Sequence, residues 1–109
     1  MEDFDKTSKS LKRKLISSSK EVDAVYEAGK AINETDPSKT ATFKGMFHEL
    51  EKYFSKFESI WEELVDIYDD CGRTADFPSS TDKRLQANVR EYYYKSNTIY
   101  EGLMHNKFF

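Results

Sequence analysis

The stretch from Pro37 to Cys71 reads PSKTATFKGMFHELEKYFSKFESIWEELVDIYDDC, and its apolar pattern decides the fold. Apolar residues recur three and four positions apart, the spacing that places side chains on one face of a helix. Asp36 before Pro37 is typical of a helix start, because its carboxylate can accept from a free amide and proline pre-sets φ. Gly72 is typical of the position just past a helix end. We therefore predict one unbroken helix over residues 37–71.

This predicted helix carries two overlapping apolar stripes. A single partner helix covers only one stripe, so we expect this helix to lie at the centre of the fold, between two others. Cys71 ends both stripes and is expected to be a small buried hydrophobe. The core side chains are predicted to be Phe47, Leu50, Phe54, Phe57, Trp61, Leu64 and Tyr68.

Two further helices are predicted on either side of this segment. The first, over residues 8–33, has a seam of four- and three-residue steps with two small members, Ser18 and Gly29, which let a neighbouring helix approach closely. The third, over residues 81–106, repeats this spacing. The predicted fold class is all-α, an antiparallel three-helix bundle. An elongated hairpin completed by dimerisation is the rival, and the heptads alone favour neither.

The composition agrees with a single helical domain over residues 1–109. Four Gly and two Pro leave long stretches without a helix breaker, and an aromatic share of 15% is too high for a disordered tail. The net charge of −3 indicates no partner class. No apolar run approaches the roughly 20 residues that cross a bilayer. We expect an intracellular protein, cytoplasmic or nuclear, without membrane insertion.

Chemistry-bearing motifs are not recognisable in the sequence. We find no nucleophile paired with a base, no phosphate-binding loop and no metal-ligand spacing, so no enzyme activity, cofactor or metal is predicted. His48 and His105 fit no ligand motif, and His48 is expected to be a solvated helix residue.

Acidic residues recur every four positions along the predicted outer face of the second helix. Like charges at this spacing repel each other, so the stripe destabilises the helix unless basic groups lie close enough to offset the repulsion. It is either a solvated face that keeps the protein soluble or a docking strip for a basic partner. Its members are Glu58, Glu62, Asp66 and Asp70.

A basic counterpart is predicted on the first helix, opposite its apolar seam. Ile16 stands within it and is either one exposed isoleucine without consequence or a contact for another subunit, an acidic strip or a polyanion. The basic residues around Ile16 are Lys9, Lys12, Arg13 and Lys20.

The third helix directs one aromatic residue away from its seam. Tyr94 lies near Lys83 and Arg90, a mixture that can stack on single-stranded nucleic acid. Neither clustered arginines nor an RNA-binding motif accompanies it, so nucleic acid is only weakly indicated.

Three motifs follow one another along the chain. A basic opening, Leu11-Lys12-Arg13-Lys14, precedes a long helix with Ile60-Trp61-Glu62-Glu63-Leu64, and a later segment reads Arg90-Glu91-Tyr92-Tyr93-Tyr94. This order resembles the N-terminal helical region of Gag polyproteins from BEL/Pao-type retrotransposons, in which LKR, LW-EF and YY motifs occur in the same order. The resemblance spans residues 11–103.

The resemblance implies a structural function, either self-association of Gag chains into particles or a domesticated copy reused by the host as an interaction domain. The chain departs from the family by lacking the Cys-Cys-His-Cys knuckle and the protease Asp-Ser/Thr-Gly motif. It would then be a leading fragment or a shortened derivative, and RNA packaging is left open.

The predicted function is therefore a non-enzymatic protein interaction and self-assembly module, and the expected partners are proteins, including further copies of the chain in a homo-oligomer, dimer or larger. The alternative is a cytoskeletal or trafficking adaptor that binds a partner helix, similar to a spectrin-type repeat or a syntaxin-type regulatory domain. Spectrin-type repeats typically place a tryptophan in the first helix, whereas Trp61 falls in the second.

Overall fold

A computed structural model describes residues 2–106 as an all-helical rod of 58 × 18 × 18 Å. The all-α prediction is confirmed. The three-helix bundle is not, because this part of the chain forms four helices: α1 (Glu2–Lys30), α2 (Pro37–Phe47), α3 (Leu50–Asp70) and α4 (Ser80–Asn106).

The helix predicted over residues 37–71 is interrupted at His48 and Glu49, so the prediction of one unbroken helix is wrong. The Glu49 amide donates to the Met46 carbonyl at 3.0 Å, a three-residue step that tightens the chain into a turn. Gly45, just before the turn, lowers the local helix propensity. On either side of this turn, α2 and α3 each pack against α1.

The central element is α1 rather than the second predicted helix. It contacts all three other helices, and its contacts with α3 and α4 are the most extensive in the fold. Four of its buried positions hold Ser or Gly, which allow neighbouring backbones to come close. The buried residues of α1 are Ser8, Leu11, Leu15, Ser18, Ser19, Val22, Val25 and Gly29.

Gly29 marks the tightest approach to α1. A Cβ atom placed on it would lie 2.9 Å from Ile99 Cδ1 of α4 and 3.0 Å from Phe43 Cε1 of α2. Carbon atoms normally pack 3.5 to 4.0 Å apart, so two other helices occupy the space that a side chain would need. The expected close approach at Gly29 is confirmed.

The helix ends follow local signals in the sequence. Asp36 Oδ1 accepts a hydrogen bond from the Ser38 amide at 3.1 Å. The Ser38 hydroxyl donates to the same oxygen, and this second hydrogen bond is the main cause that lowers the pKa of Asp36. At the end of α3, Gly72 has φ 68°, and the Arg73 amide donates to the Tyr68 carbonyl at 2.8 Å. This is a Schellman cap, as expected for Gly72.

The start of α4 has a reciprocal cap that sequence reasoning missed. Asp82 Oδ2 accepts from the Ser79 amide at 2.9 Å, and the Asp82 amide donates to the Ser79 hydroxyl at 3.1 Å. Ser79 and Asp82 form the capping-box spacing. The helix begins at Ser80, which agrees with a predicted start at Ser80 or Thr81.

The start of α1 differs more from the prediction. The helix begins at Glu2 instead of Ser8 and ends at Lys30 instead of Asn33. Its added first turn packs Phe4 edge-on against Tyr68, with ring centroids 4.9 Å apart. The Arg73 guanidinium lies 4.8 Å from the Phe4 centroid and covers this end of the rod.

The predicted core is largely confirmed, with two exceptions. Phe47 and Phe54 are only half-buried against it, whereas the other five predicted core residues are buried. Cys71 is exposed, so its assignment to the core is wrong: the chain turns away at Gly72 just as the stripe reaches Cys71. Phe77, which lies between the second and third predicted helices, is 2% exposed and packs on Trp61, with ring centroids 4.9 Å apart.

Aromatic stacks fill the space between α4 and its neighbours. Phe54 and Tyr93 join α3 to α4 with ring centroids 4.0 Å apart. Two further stacks lie along α4, Tyr26 with Tyr92 at 4.6 Å and Phe47 with Tyr100 at 4.1 Å. Each such pair contributes about 0.5 to 1.5 kcal/mol beyond the area it buries.

Two glycines provide a matched test of the packing around α1. We expect Gly29→Val to lower the free energy of unfolding by about 1 to 3 kcal/mol, because the new side chain displaces Phe43 and Ile99. Gly45→Val is the control, since no atom of the described residues lies within 4 Å of a Cβ at Gly45, and its effect should stay within about 0.5 kcal/mol. Urea unfolding followed by circular dichroism measures both, and equal effects would contradict the close approach.

Candidate interaction surfaces

The predicted basic residues share one surface of α1. This basic face consists of Lys6, Lys9, Lys12, Arg13, Ile16 and Lys20. Four of them line a shallow groove of about 450 Å³, and Ile16 lines an adjoining depression with two of the four. Lys6 was missed because the helix was predicted to start at Ser8, whereas the longer α1 places Lys6 one turn before Lys9.

The basic face has one anchored residue and five exposed ones. Lys12 is half-buried, with its ammonium 5.2 Å from the Tyr68 ring centroid, a cation–π distance. Ile16 is 48% exposed, which agrees with its predicted direction away from the seam. The surface therefore presents an aliphatic side chain within a cluster of cations.

The acidic residues of α3 divide into two groups. Glu62, Asp66 and Asp70 are exposed, as predicted for an outer face. Glu58 is half-buried, and its Oε1 lies 3.2 Å from Arg90 Nε of α4, so this predicted member belongs to an ion pair between helices instead. Among the described side chains, no cation lies within ion-pair distance of the other three.

An exposed apolar residue also lies among these acids. Val65 is 38% exposed, is adjacent to Asp66, and has Glu62 and Asp69 one turn away on either side. We call Glu62, Val65, Asp66, Asp69 and Asp70 the acidic face. Sequence reasoning overlooked Val65, although its position off both apolar stripes is a usable signal.

The two charged faces lie at the same end of the rod. Phe4 near the start of α1 packs on Tyr68 near the end of α3, and Lys12 also covers Tyr68. The first half of α1 is thus beside the second half of α3. One end of the molecule carries both a basic and an acidic surface, which a net charge of −3 does not reveal.

The predicted nucleic-acid residues on α4 are brought together only in part. Tyr94 is 62% exposed, and its ring packs edge-on against Tyr93 with centroids 5.5 Å apart. Arg90 is engaged by Glu58, which neutralises its charge. Of the three predicted residues, Tyr94 is left to stack on a base and Lys83 is left to contact a phosphate.

The turn between α2 and α3 forms a small pocket of about 220 Å³. It is lined by Phe47, His48, Leu50, Glu51, Tyr93 and Asn97. His48 is exposed, as expected, but it lies in the turn rather than in a helix. The Glu51 carboxylate accepts a hydrogen bond from the Tyr93 hydroxyl, and this bond is the main cause that raises the pKa of Tyr93 to about 12.

Metal-ligand clusters and membrane-spanning helices are absent from residues 2–106. No group of three or more His, Cys, Asp or Glu in that range could hold a metal ion. None of the helices formed there combines the length and apolar character needed to cross a bilayer.

Comparison with protein-family models, curated proteins and solved structures finds no significant match to this chain.

The Tyr93 hydroxyl provides a pH-dependent test of the contact between α3 and α4. The pKa of Tyr93 is about 12 in the folded chain and about 10 when unfolded, so its stabilising contribution is full below pH 10 and is lost as the pH rises toward 12. Absorbance titration at 295 nm, taken as the difference from Tyr93→Phe, should show this late ionisation. Glu51→Gln should shift it toward pH 10, and an unchanged curve would contradict the hydrogen bond.

Proposed function

We propose that this chain is a non-enzymatic self-assembly module whose copies bind one another through the outer faces of the rod. The observation that supports it is Ile16, an aliphatic side chain 48% exposed at the middle of a basic surface. An apolar residue with a charged surround is typical of an interface centre, where burial gives affinity and the rim gives specificity. The core packs separately, so this face can act without reorganising the bundle.

The non-enzymatic character is part of the same proposal. Glu51, the carboxylate in the pocket between α2 and α3, is engaged by the Tyr93 hydroxyl. The Tyr93 hydroxyl keeps its proton at neutral pH and donates it to the Glu51 carboxylate in this hydrogen bond. These contacts favour a structural role for the pocket residues, namely joining α3 to α4.

A Gag-like origin is proposed on the sequence motifs alone. The LKR opening lies within the basic face, at Lys12 and Arg13, and the Trp61 motif supplies the acidic Glu62. If the chain derives from a BEL/Pao-type Gag, two of the motifs that suggest it fall on the surfaces proposed for assembly. Self-association into a homo-oligomer is the property such an origin would have left in this domain.

A second candidate function is an adaptor that receives a partner helix. A cleft of about 340 Å³ lies between α1 and α3 at the end of the rod, and it is lined by Asp3, Phe4, Thr7, Ile67, Asp70 and Cys71. Its volume is at the low end for ligand-binding pockets, enough for a few side chains of a partner. It is short for a whole helix, so we favour self-assembly over this alternative.

The mass of the chain in solution discriminates between these candidates. We expect sedimentation and light scattering to show the mass rising with protein concentration between about 1 µM and 1 mM, the range of weak to moderate association constants. A monomer mass near 12.8 kDa at every concentration would contradict self-assembly and favour the adaptor. Unfolding monitored in parallel excludes aggregation of denatured chains as the cause of a rising mass.

A further inference from the structure

Three large hydrophobic side chains are exposed in the described part of the chain: Ile16, Val65 and Tyr94. Two of them stand among charged residues of a single sign. Ile16 lies among cations on α1, and Val65 lies among anions on α3. The two surfaces therefore have the same organisation with opposite charge.

The match extends to the spacing around each apolar residue. Ile16 has Arg13 one turn before it and Lys20 one turn after it, and Val65 has Glu62 and Asp69 at the same distances of three and four residues. Both helices are regular through these segments. Each face thus presents an aliphatic centre flanked along the helix by two charges at the same intervals.

We propose, resting on the self-assembly function above, that the basic face of one copy binds the acidic face of a second copy, with Ile16 packed against Val65. Burial of the two side chains would supply the apolar part of the free energy of association. Facing charges of opposite sign would fix the alignment and steer the encounter, with a strength that falls as salt is added. The like-charge repulsion within each face would be relieved at the same time.

The acidic face is favoured as the occupant because it is the surface that complements both features of the basic face. A nucleic acid or an anionic membrane would neutralise the cations, but neither explains why Val65 is exposed among acidic residues on α3. Lys9, Arg13 and Lys20 are exposed and available to face Glu62, Asp66 and Asp69 of another copy. Each copy carries one face of each sign, so the contact can repeat from copy to copy.

Paired charge reversals test this assignment. Lys9→Glu with Arg13→Glu makes the basic face acidic, and Glu62→Lys with Asp66→Lys makes the acidic face basic. All four residues are exposed, so the fold should be kept, and thermal unfolding confirms it. We expect each double variant alone to self-associate at least tenfold more weakly than the native chain, because like charges then face each other.

Mixing the two double variants should restore association, since every contact between unlike variants again joins opposite charges. Sedimentation velocity on the equimolar mixture measures this recovery. The matched control, Lys39→Glu with Lys56→Glu, changes the net charge as much as the first variant but touches neither face, and it should associate like the native chain. Association of each double variant at the native strength, or a mixture that stays dissociated, overturns the proposal.

The apolar centre is tested by cross-linking in a Cys71→Ser background. Ile16→Cys mixed with Val65→Cys should form a disulfide between copies under mild oxidation, because the two positions face each other and a disulfide needs Cβ atoms about 4 Å apart. Tyr94→Cys in place of Val65→Cys is the control that should not cross-link with Ile16→Cys. Equal yields from both pairs would contradict the alignment.

The results separate failure of this inference from failure of the proposed function. A native chain that stays monomeric disproves self-assembly itself. A native chain that self-associates while all double variants do so equally disproves only the pairing of these faces. A third outcome is that the native chain binds phosphatidylserine vesicles or single-stranded RNA and the Lys9 and Arg13 variant does not. If mixing the two double variants also fails to restore association, the basic face binds a polyanion and the inference is overturned.

Discussion

The close packing around α1 is the constraint on which the rest of the structure depends. Ser8, Ser18, Ser19 and Gly29 keep one side of this helix narrow, so α2, α3 and α4 can all pack against it. A side chain at Gly29 would meet residues from two of them at once. Within residues 2–106, the buried hydroxyls of Ser18 and Ser96 have no hydrogen-bond partner, and an unpaired buried hydroxyl costs about 1 to 3 kcal/mol. Their small size is what the close packing requires.

The other features of the rod follow from this arrangement. Because α1 lies at the centre, α3 and α4 meet chiefly through long side chains, with the stack of Phe54 on Tyr93 and the ion pair of Glu58 with Arg90 between them. Phe4 and Phe77 close one end over Tyr68. Most residues on the outward surfaces of α1 and α3 lie outside this core, and Lys12, which covers Tyr68, is the exception on the basic face. Ile16 and Val65 are exposed among the charged residues of these surfaces, and the self-association proposed above rests on that exposure.

The sequence predicts the helical class, most of the core and the caps at Asp36 and Gly72, because heptad spacing and these capping signals are local. It misses the cap that Ser79 and Asp82 form at the start of α4. It fails at the turn of His48 and Glu49, where no proline marks the break and two apolar stripes overlap. It also places the wrong helix at the centre. The second segment has the larger aromatic side chains, but the small residues of α1 are what let the other helices pack close to it. Most residues of both charged faces are predicted from the sequence. Lys6 is missed because α1 starts earlier than predicted, and the pairing of Glu58 with Arg90 is missed because it joins two helices that are distant in sequence.

The central position of α1 is tested most directly by native-state hydrogen exchange. Amides in the middle of α1, from Leu15 to Val25, should exchange only through global unfolding and show the full free energy of unfolding, because this helix contacts all the others. Amides of α2, a helix of 11 residues ended by a turn, should exchange through smaller local openings. Exchange of the α1 amides as fast as those of α2, at a concentration where the chain is monomeric, would contradict the account.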